Sequence, residues 1–413
     1  VEGIVSREST ASLTWIQKRC RSLVFSILQR LDVGQLVVIE GDEEYQFGDN
    51  QGHHYPETLN GIVHIHDGAA YQRFVKGGSI GAAEAFIEGM WSSPNLTEVI
   101  RLFARAQSQT DQLEQKMAWL SRIKNKVIHR NNRNSHSGSK QNILAHYDLG
   151  NELYSRFLDP SMMYSSAIFS EGSMDLDQAQ QNKLRAICDK LALEPGDQLL
   201  EIGTGWGGLA IFAAKHYGVH VTTTTISEEQ YQYAKQQIAA QGLQQQITLL
   251  KQDYRDLQGQ FDKLVSIEMI EAVGYEYMDS FFSQCNARLK PGGKMLIQAI
   301  TIADQRFESY LNNVDFIQRY IFPGGFLPSV ELMNKKLSQR TNMVLHQLDD
   351  IGLDYAKTLH CWRERFLASW NELLNYGYDE RFKKLWLYYL GYCEGAFIER
   401  SISTVHFVAR KAH

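Results

Sequence analysis

The alternation of apolar and polar positions divides the chain into two differently built parts. Across 12–31, Leu13, Ile16, Leu23, Ile27 and Leu31 recur at near-helical spacing and predict an amphipathic helix. The following run "QLVVIEGDEEYQFG" predicts a hairpin turning near Gly41-Asp42, "GIVHIHD" a further strand, and "SIGAAEAFIEGMW" a helix. Together they describe a small α+β domain over residues 1–120, with the spatial order of its elements open. From Ser173 the pattern becomes regular. Leu176, Ala179, Leu184, Ile187 and Leu191 mark a helix ending before Pro195-Gly196. Short apolar strands then alternate with helices: "DQLLEIG", "VHVTTTTIS", "QITLLKQD", "DKLVSIEM" and "GGKMLIQAI" are the strands. "WGGLAIFAAKHYG" is a helix stopped by Gly218, and "SEEQYQYAKQQIAAQG" is one opened by Ser227 and Gln230 as a capping box. Such alternation means a parallel sheet covered on both faces, an α/β fold. The final run "STVHFVARK" reads as a strand that closes the sheet edge.

Composition narrows the class. The 413 residues suffice for one large or two ordinary domains, and a net charge of −5 argues against general nucleic-acid binding. The five cysteines are scattered, with no CxxC pair, so neither a disulfide framework nor a recognisable zinc site is expected, and a reducing cytosol suits them. No apolar run approaches a membrane span and Val1–Thr10 does not read as a signal peptide, so a soluble, cytoplasmic protein is expected. Residues 121–141 break the pattern: "RIKNKVIHRNNRNSHSGSK" carries six Lys/Arg, three Ser and no acid. A solvated linker explains most of it, and a basic surface that meets anionic headgroups is the sharper reading.

The densest chemistry lies in "QLLEIGTGWGGLA". A strand ends in Glu201, and Gly203, Gly205 and Gly207 then precede a helix. Glycines there let the backbone lie against a ligand at the carboxyl end of the sheet. A P-loop needs Gly-Lys-Ser/Thr, which is missing, and Glu201 with the bulky Trp206 fits a pyrophosphate poorly. A ligand with an amino-acid tail and a nucleoside fits better, which means S-adenosylmethionine, with Glu201 facing its ammonium or hydroxyls. Asp253, at the end of the third strand, is placed to accept from an adenine amino group, although a loop-capping role explains it equally. The second strand ends in Thr222–Thr225 with no ribose-binding acid, and Gln230 is the candidate substitute.

With these residues in view, the chain resembles the cyclopropane-fatty-acyl-phospholipid synthases and the methyltransferase superfamily around them. The matching stretches run in family order: "HYDLGNELYSRFLDPSMMYSS", "LEIGTGWGGLA", "TTISEEQ", "QDYRDL", "SIEMIEAVG", "YIFPGGFLPS", "GLDYAKTLHCWRERF" and "YYLGYCEGAF". The N-terminal match is weaker, with "GGSIGAAEAFIEGMW" its clearest piece. The resemblance implies a Rossmann-like S-adenosylmethionine-dependent methyltransferase sheet with helical lid insertions over 142–413, beside a smaller N-terminal α+β domain that faces lipid. It implies cofactor contacts from Tyr164, Ser165, Gly203, Gly205, Thr225, Ile226, Gln230, Asp253 and Tyr254. It also implies a bicarbonate ion as general base, with Glu271, the backbone of Ile300, and Tyr355 as three of its five holders. The other two positions depart from the family: Ser166 stands for a cysteine and Gln298 for a histidine, and Ala272 follows Glu271 where relatives commonly have histidine. Serine and glutamine still offer hydrogen bonds but no cation, so either an anion is held by Glu271 or Glu271 itself is the base.

The implied reaction adds the methyl carbon of S-adenosylmethionine to a cis double bond of a phospholipid acyl chain at the inner face of the membrane. Loss of a proton from the new methyl closes a cyclopropane, and loss from the chain gives a methylene or methyl-branched product. A third possibility is a non-catalytic cofactor-binding relative, which the intact Glu271, Tyr355 and glycine loop disfavour. Phe307, Tyr310, Phe316, Tyr320, Phe322 and Phe326 follow the fifth strand, where this fold inserts a substrate lid, and are candidates to line the dry pocket a carbocation needs. Ordinary core is the competing explanation of such a stripe. A homodimer is left open, and no nucleic acid or metal is implied.

Overall fold

The computed structural model describes residues 13–48, 57–106 and 149–413, and the basic segment expected to be a linker at 121–141 lies outside them. The chain divides into two compact units: Val1–Asn125 with Tyr378–Glu399, and Lys126–Gly377 with Arg400–His413.

In the first unit, β1 (Gln35–Glu40) turns back into β2 (Glu43–Phe47), and Glu40 faces Glu43 across the two-residue turn at Gly41-Asp42. β3 (Asn60–Ile65) lies parallel to β1 and antiparallel to the short β4 (Trp91–Ser92), giving the order β2-β1-β3-β4. The predicted first helix is Trp15–Leu28, opened by a capping box from Thr14 and Gln17. The second is longer than "SIGAAEAFIEGMW", spanning Ala69–Ile87 with a kink where Gly78 leaves helical geometry.

The expected catalytic stretch 142–413 differs from the observed second unit in one element. Helix Glu380–Ile398, which carries "YYLGYCEGAF", belongs to the first unit. It packs on helix Leu96–Arg105, where Gly395 brings its backbone close to Ile100 and Thr97. Thr97 donates to the Glu394 carboxylate, and Arg101 and Arg105 share the two oxygens of Glu399 at 2.7 and 2.6 Å. A helix with apolar residues nearly all round needs partners on several sides, and its place in sequence does not say which.

The second unit is built on a seven-stranded sheet of order β10-β11-β9-β8-β5-β6-β7. β5 (Gln198–Ile202), β6 (His220–Thr225), β7 (Ile247–Lys251), β8 (Phe261–Ile267) and β9 (Leu289–Ile302) run parallel. β10 (Met343–Asp350) and β11 (Ile402–Lys411) join antiparallel. The final strand therefore does not close the edge: β11 is inserted between β9 and β10, and β10 with its exposed Val344 and Leu348 is the edge. Its burial agrees, since Val405, Phe407, Val408 and Ala409 are almost wholly enclosed, as an interior strand demands. On one face, Leu184, Ile187 and Leu191 of helix Leu176–Leu191 pack on Leu199, Leu296 and Val408. On the other, Phe281, Phe282 and Cys285 of helix Met278–Arg288 pack on Leu264, Ile297 and Phe407.

Local signals hold where they depend on a few neighbouring residues. Asp175 caps helix Leu176–Leu191 by accepting from Gln178 N, and Gly218 ends helix Gly208–Tyr217 in the left-handed conformation. The capping box at helix Glu228–Ala240 is half formed. Ser227 accepts from Gln230 N, but the Gln230 side chain accepts instead from the Thr225 hydroxyl at 3.0 Å. Among the described residues no helix is long and apolar enough to cross a membrane.

Candidate active site

The carboxyl ends of the parallel strands gather the site. Past β5 the chain makes left-handed turns at Gly203, Gly205 and Gly207 before helix Gly208–Tyr217 begins. At Gly205, with φ +53°, a β-carbon would meet nothing within 4 Å, so the backbone borders open space. That is the cradle an S-adenosyl ligand requires, and one that any side chain would fill. Trp206 turns away from the loop: its ring lies 4.9 Å from that of Tyr154 and its indole N–H donates to Asn151 at 2.7 Å. The bulky residue in the glycine run thus anchors the loop to helix Asn151–Phe157.

The sequence-expected cofactor residues fall into distinct roles. Glu201 is buried within the sheet, and one of its oxygens accepts from the Thr223 hydroxyl at 2.6 Å. Burial pushes its carboxyl up to about 8, against the opposing pull of Thr223 and Lys183. Thr223 in turn bonds Thr204 of the loop at 2.7 Å, so Glu201 shapes the loop from beneath. Asp253 caps the turn Tyr254–Asp256 and is paired by Arg255 at 2.6 Å, so the loop-capping explanation is realised. Tyr254 stacks edge-on against Phe281. Thr225 is buried at the end of β6 beside the partly buried Ile226. Residues 159–166 lie against the loop, with Ser161 O and Met163 close to Gly208. Tyr164 sits among Tyr154, Phe157, Phe322 and Trp362, and Ser165 Oγ accepts from Lys183.

Lys183 itself is absent from the expected set. It is fully enclosed on helix Leu176–Leu191, and burial pushes its ammonium down to about 8 although Glu268, Asp159 and Glu201 lie nearby. Only the covering of the sheet by that helix brings it here.

The larger surprise is Glu268. Tyr355 OH donates to its Oε2 at 2.8 Å, while Gln298 Nε2 and Ser166 N donate to its Oε1 at 2.7 and 2.9 Å. Three of the positions that the resemblance implies for holding an anion therefore close on a carboxylate of the chain. The acceptor that Tyr355 and Gln298 orient is Glu268, not Glu271. Register explains the meeting, because Ile267 pairs with Gln298 across β8 and β9, and Glu268 is the next residue. Glu268 also has φ +45°, a conformation that costs a non-glycine residue about 1–2 kcal/mol and survives where its surroundings hold it. Ser166 contributes through its backbone, since its hydroxyl donates to Ala167 O. A change of side chain at that position is therefore no obstacle to this arrangement.

Glu271 stands beside it in a different state. One oxygen accepts from Ile300 N, another position the resemblance implies for the anion, and the other, Oε2, is buried with no hydrogen-bond partner among the described residues. Burial and the neighbouring Glu268 charge push Glu271 up to about 8. Glu268 is also raised by burial, but its three donors oppose the shift, so Glu271 is the member of the pair driven neutral. The aromatic stripe comes close: Phe326 N donates to Glu271 O, and Phe326 packs with Phe307, Tyr310 and Tyr275. Phe316 and Tyr320 pack on each other, and Phe316 is core.

A Rossmann-like sheet with a glycine cradle at its carboxyl end, and a buried carboxylate pair beside it, defines an S-adenosylmethionine-dependent methyltransferase. The family model for mycolic acid cyclopropane synthetase matches residues 134–407, and the chain belongs to that family. It is 40% identical over 334 residues to the cyclopropane-fatty-acyl-phospholipid synthase of Escherichia coli, covering 80% of this chain and 83% of that one. It is 36% identical over 360 residues to the tuberculostearic acid methyltransferase UfaA1 of Mycobacterium tuberculosis, covering 86% and 83%. Among solved structures, the cyclopropane synthase MmaA2 of Mycobacterium tuberculosis superposes with a TM-score of 0.61 at 27% identity, over 66% of this chain and 98% of that one. The mycolic acid cyclopropane synthase CmaA1 complexed with SAH and CTAB gives 0.60 at 29%, with the same coverage.

Proposed function

We propose that the protein adds the methyl carbon of S-adenosylmethionine to a cis double bond in an unsaturated phospholipid acyl chain, and that Glu268 takes the proton that completes the reaction. The observation carrying this reading is the convergence of Tyr355, Gln298 and Ser166 on the Glu268 carboxylate. When bound, S-adenosylmethionine supplies an electrophilic methyl. The π pair of the alkene would form the new carbon–carbon bond as the methyl–sulfur bond breaks and sulfur keeps its pair, so that S-adenosylhomocysteine leaves and a positive charge stays on the adjacent chain carbon. Glu268 as an anion stabilises that charge, and neutral Glu271 adds no second negative charge that would raise the basicity of the pair too far. A carboxylate held by three donors is already oriented, so no bound bicarbonate is needed. The packed rings of Phe326 and Tyr310 beside Glu271 offer the dry wall that a cation requires.

Proton loss from the transferred methyl closes a cyclopropane, the outcome named by the family and the Escherichia coli relative. A second reading has its own support. The tuberculostearic acid methyltransferase is comparably similar, and the substitution of a tethered carboxylate for a free anion changes the group that chooses the proton. Loss from the chain would then leave a methylene branch. Mass spectrometry of lipids from an expressing host decides: a gain of one CH2 unit with loss of unsaturation means a ring, and the same gain with retained unsaturation means a methylene. Unaltered lipids would reject both.

The acyl chain is reached at the inner membrane surface, with the basic segment 122–140 supplying attraction to anionic headgroups. Sedimentation with anionic vesicles should fall as salt rises, and equal binding to neutral vesicles at high salt would reject the electrostatic part.

A further inference from the structure

Behind Gln298 a chain of hydrogen bonds leads away from the site. Lys190 Nζ lies 2.7 Å from His406 Nδ1, and His406 Nε2 lies 2.9 Å from Gln298 Oε1. Gln298 Nε2 then reaches Glu268. The three side chains share one face: His406 and Gln298 are register partners on β11 and β9, and Lys190 is in the last turn of helix Leu176–Leu191 covering them. His406 and Gln298 are wholly enclosed, whereas Lys190 is partly exposed and paired with Asp349 of β10 at 2.7 Å.

Each link has one direction. An ammonium has hydrogens to give and no lone pair, so Lys190 donates and His406 Nδ1 accepts. The imidazole proton is then on Nε2, which donates to the Gln298 carbonyl. The carbonyl oxygen being taken, the Gln298 NH2 turns to Glu268, whose Oε1 also receives the Ser166 backbone N–H. We propose that Lys190 and His406 are positioning residues that lock the Gln298 amide with its NH2 group, never its carbonyl, against the proton-accepting carboxylate. A flipped amide would set an oxygen against Glu268, raise the affinity of that carboxylate for a proton and leave it a poorer anion at the reacting cation. Burial, then the charges of Lys190 and Lys183, hold His406 well below the usual histidine range, so the neutral ring the lock needs is the favoured form. Among the described residues, the other charged or titratable groups facing these side chains are Asp349, Glu271 and Tyr355.

The inference rests on Glu268 as proton acceptor, so its test runs beside Glu268→Gln. In the resting protein, 15N spectroscopy of the imidazole should show the Nε2–H tautomer of His406, with no ligand needed. His406→Asn keeps an oxygen for Lys190 but has no donor that reaches Gln298, while His406→Gln keeps that donor. The Asn variant should lose about 10-fold in kcat and move the acid limb of its pH profile up by about one unit, with SAH affinity unchanged. The Gln variant should restore the limb and most of the rate. Lys190→Met, at a partly exposed position, should release His406 into a tautomer mixture and shift the limb in the same direction by less. An Nδ1–H tautomer in the wild type, an unmoved limb in His406→Asn, or equal defects in the Asn and Gln variants would overturn the lock. If Glu268→Gln turns over normally, the base assignment falls and the lock with it. If it is inactive and the His406→Asn limb stays put, the lock alone falls.

Discussion

The hydroxyl of Tyr355 donates to Oε2 of Glu268 at 2.8 Å, across a sequence separation of 87 residues. Helix Gly352–Ala368 presents the tyrosine, and the turn after β8 presents the carboxylate in a left-handed conformation. Removing the charge of Glu268 while keeping its shape separates its chemistry from its packing. Glu268→Gln should bind cofactor normally and lose at least about 100-fold in turnover, the scale of general-base loss. Glu271→Gln, which replaces a group already held neutral, should lose less than about 10-fold. Bicarbonate added to a depleted wild-type assay should change nothing. Initial rates of all three preparations check this, and a greater loss at Glu271 would return the base to that residue.

The glycine cradle makes a binding prediction. Gly205→Val places a branched side chain in the open space bordering the loop and in a backbone region that costs it about 1–2 kcal/mol. SAH affinity by calorimetry should fall at least about 10-fold in a protein that still unfolds cooperatively. Unchanged affinity would move the cofactor elsewhere.

Glu201 predicts a pH dependence of stability. Its folded carboxyl is raised from 4.5 to about 8, so between those values the folded state holds a proton that the unfolded state has released. Stability from this group is complete below about pH 4.5 and drains away as pH rises through about 8. Glu201→Gln should therefore flatten the decline of the melting temperature across that window. Parallel curves for the two proteins, followed by calorimetry, would show the group to be unshifted.

Gly395 tests the assignment of the late helix to the first unit. A β-carbon there would lie 2.8 Å from Ile100 Cγ2 and 3.3 Å from Thr97 O. Gly395→Val should overpack the junction of helices Leu96–Arg105 and Glu380–Ile398 and cost about 1–3 kcal/mol. Denaturant unfolding should show a lowered midpoint. An unaltered midpoint would mean that the two helices do not pack at this distance.

Legibility followed the reach of the interactions. The glycine loop could be read because its need is local: three left-handed turns between a strand and a helix are written in three adjacent odd-numbered glycines. Tyr355 and Gln298 are legible by resemblance, which sets them around a bicarbonate ion held by Glu271, or around Glu271 itself, and not around Glu268. Glu268 lies in the same "SIEMIEAVG", and the second acid three residues upstream was the available signal. Nothing within that stretch says which acid faces the donors, because the donors come from 166, 298 and 355.

The sequence by itself determined the alternating α/β pattern, the hairpin at Gly41-Asp42, the helix end at Gly218, and the glycine loop. These are set by period, capping and turn chemistry, all of which act within a few residues. The tertiary structure decided that β11 lies between β9 and β10, that Glu380–Ile398 joins the first unit, and that Lys190 and His406 stand behind Gln298. It also brought Tyr355, Gln298 and the Ser166 backbone to Glu268. Strand order and helix partnership are settled by which distant apolar faces bury each other, and the state of a buried carboxylate by the donors that burial brings to it.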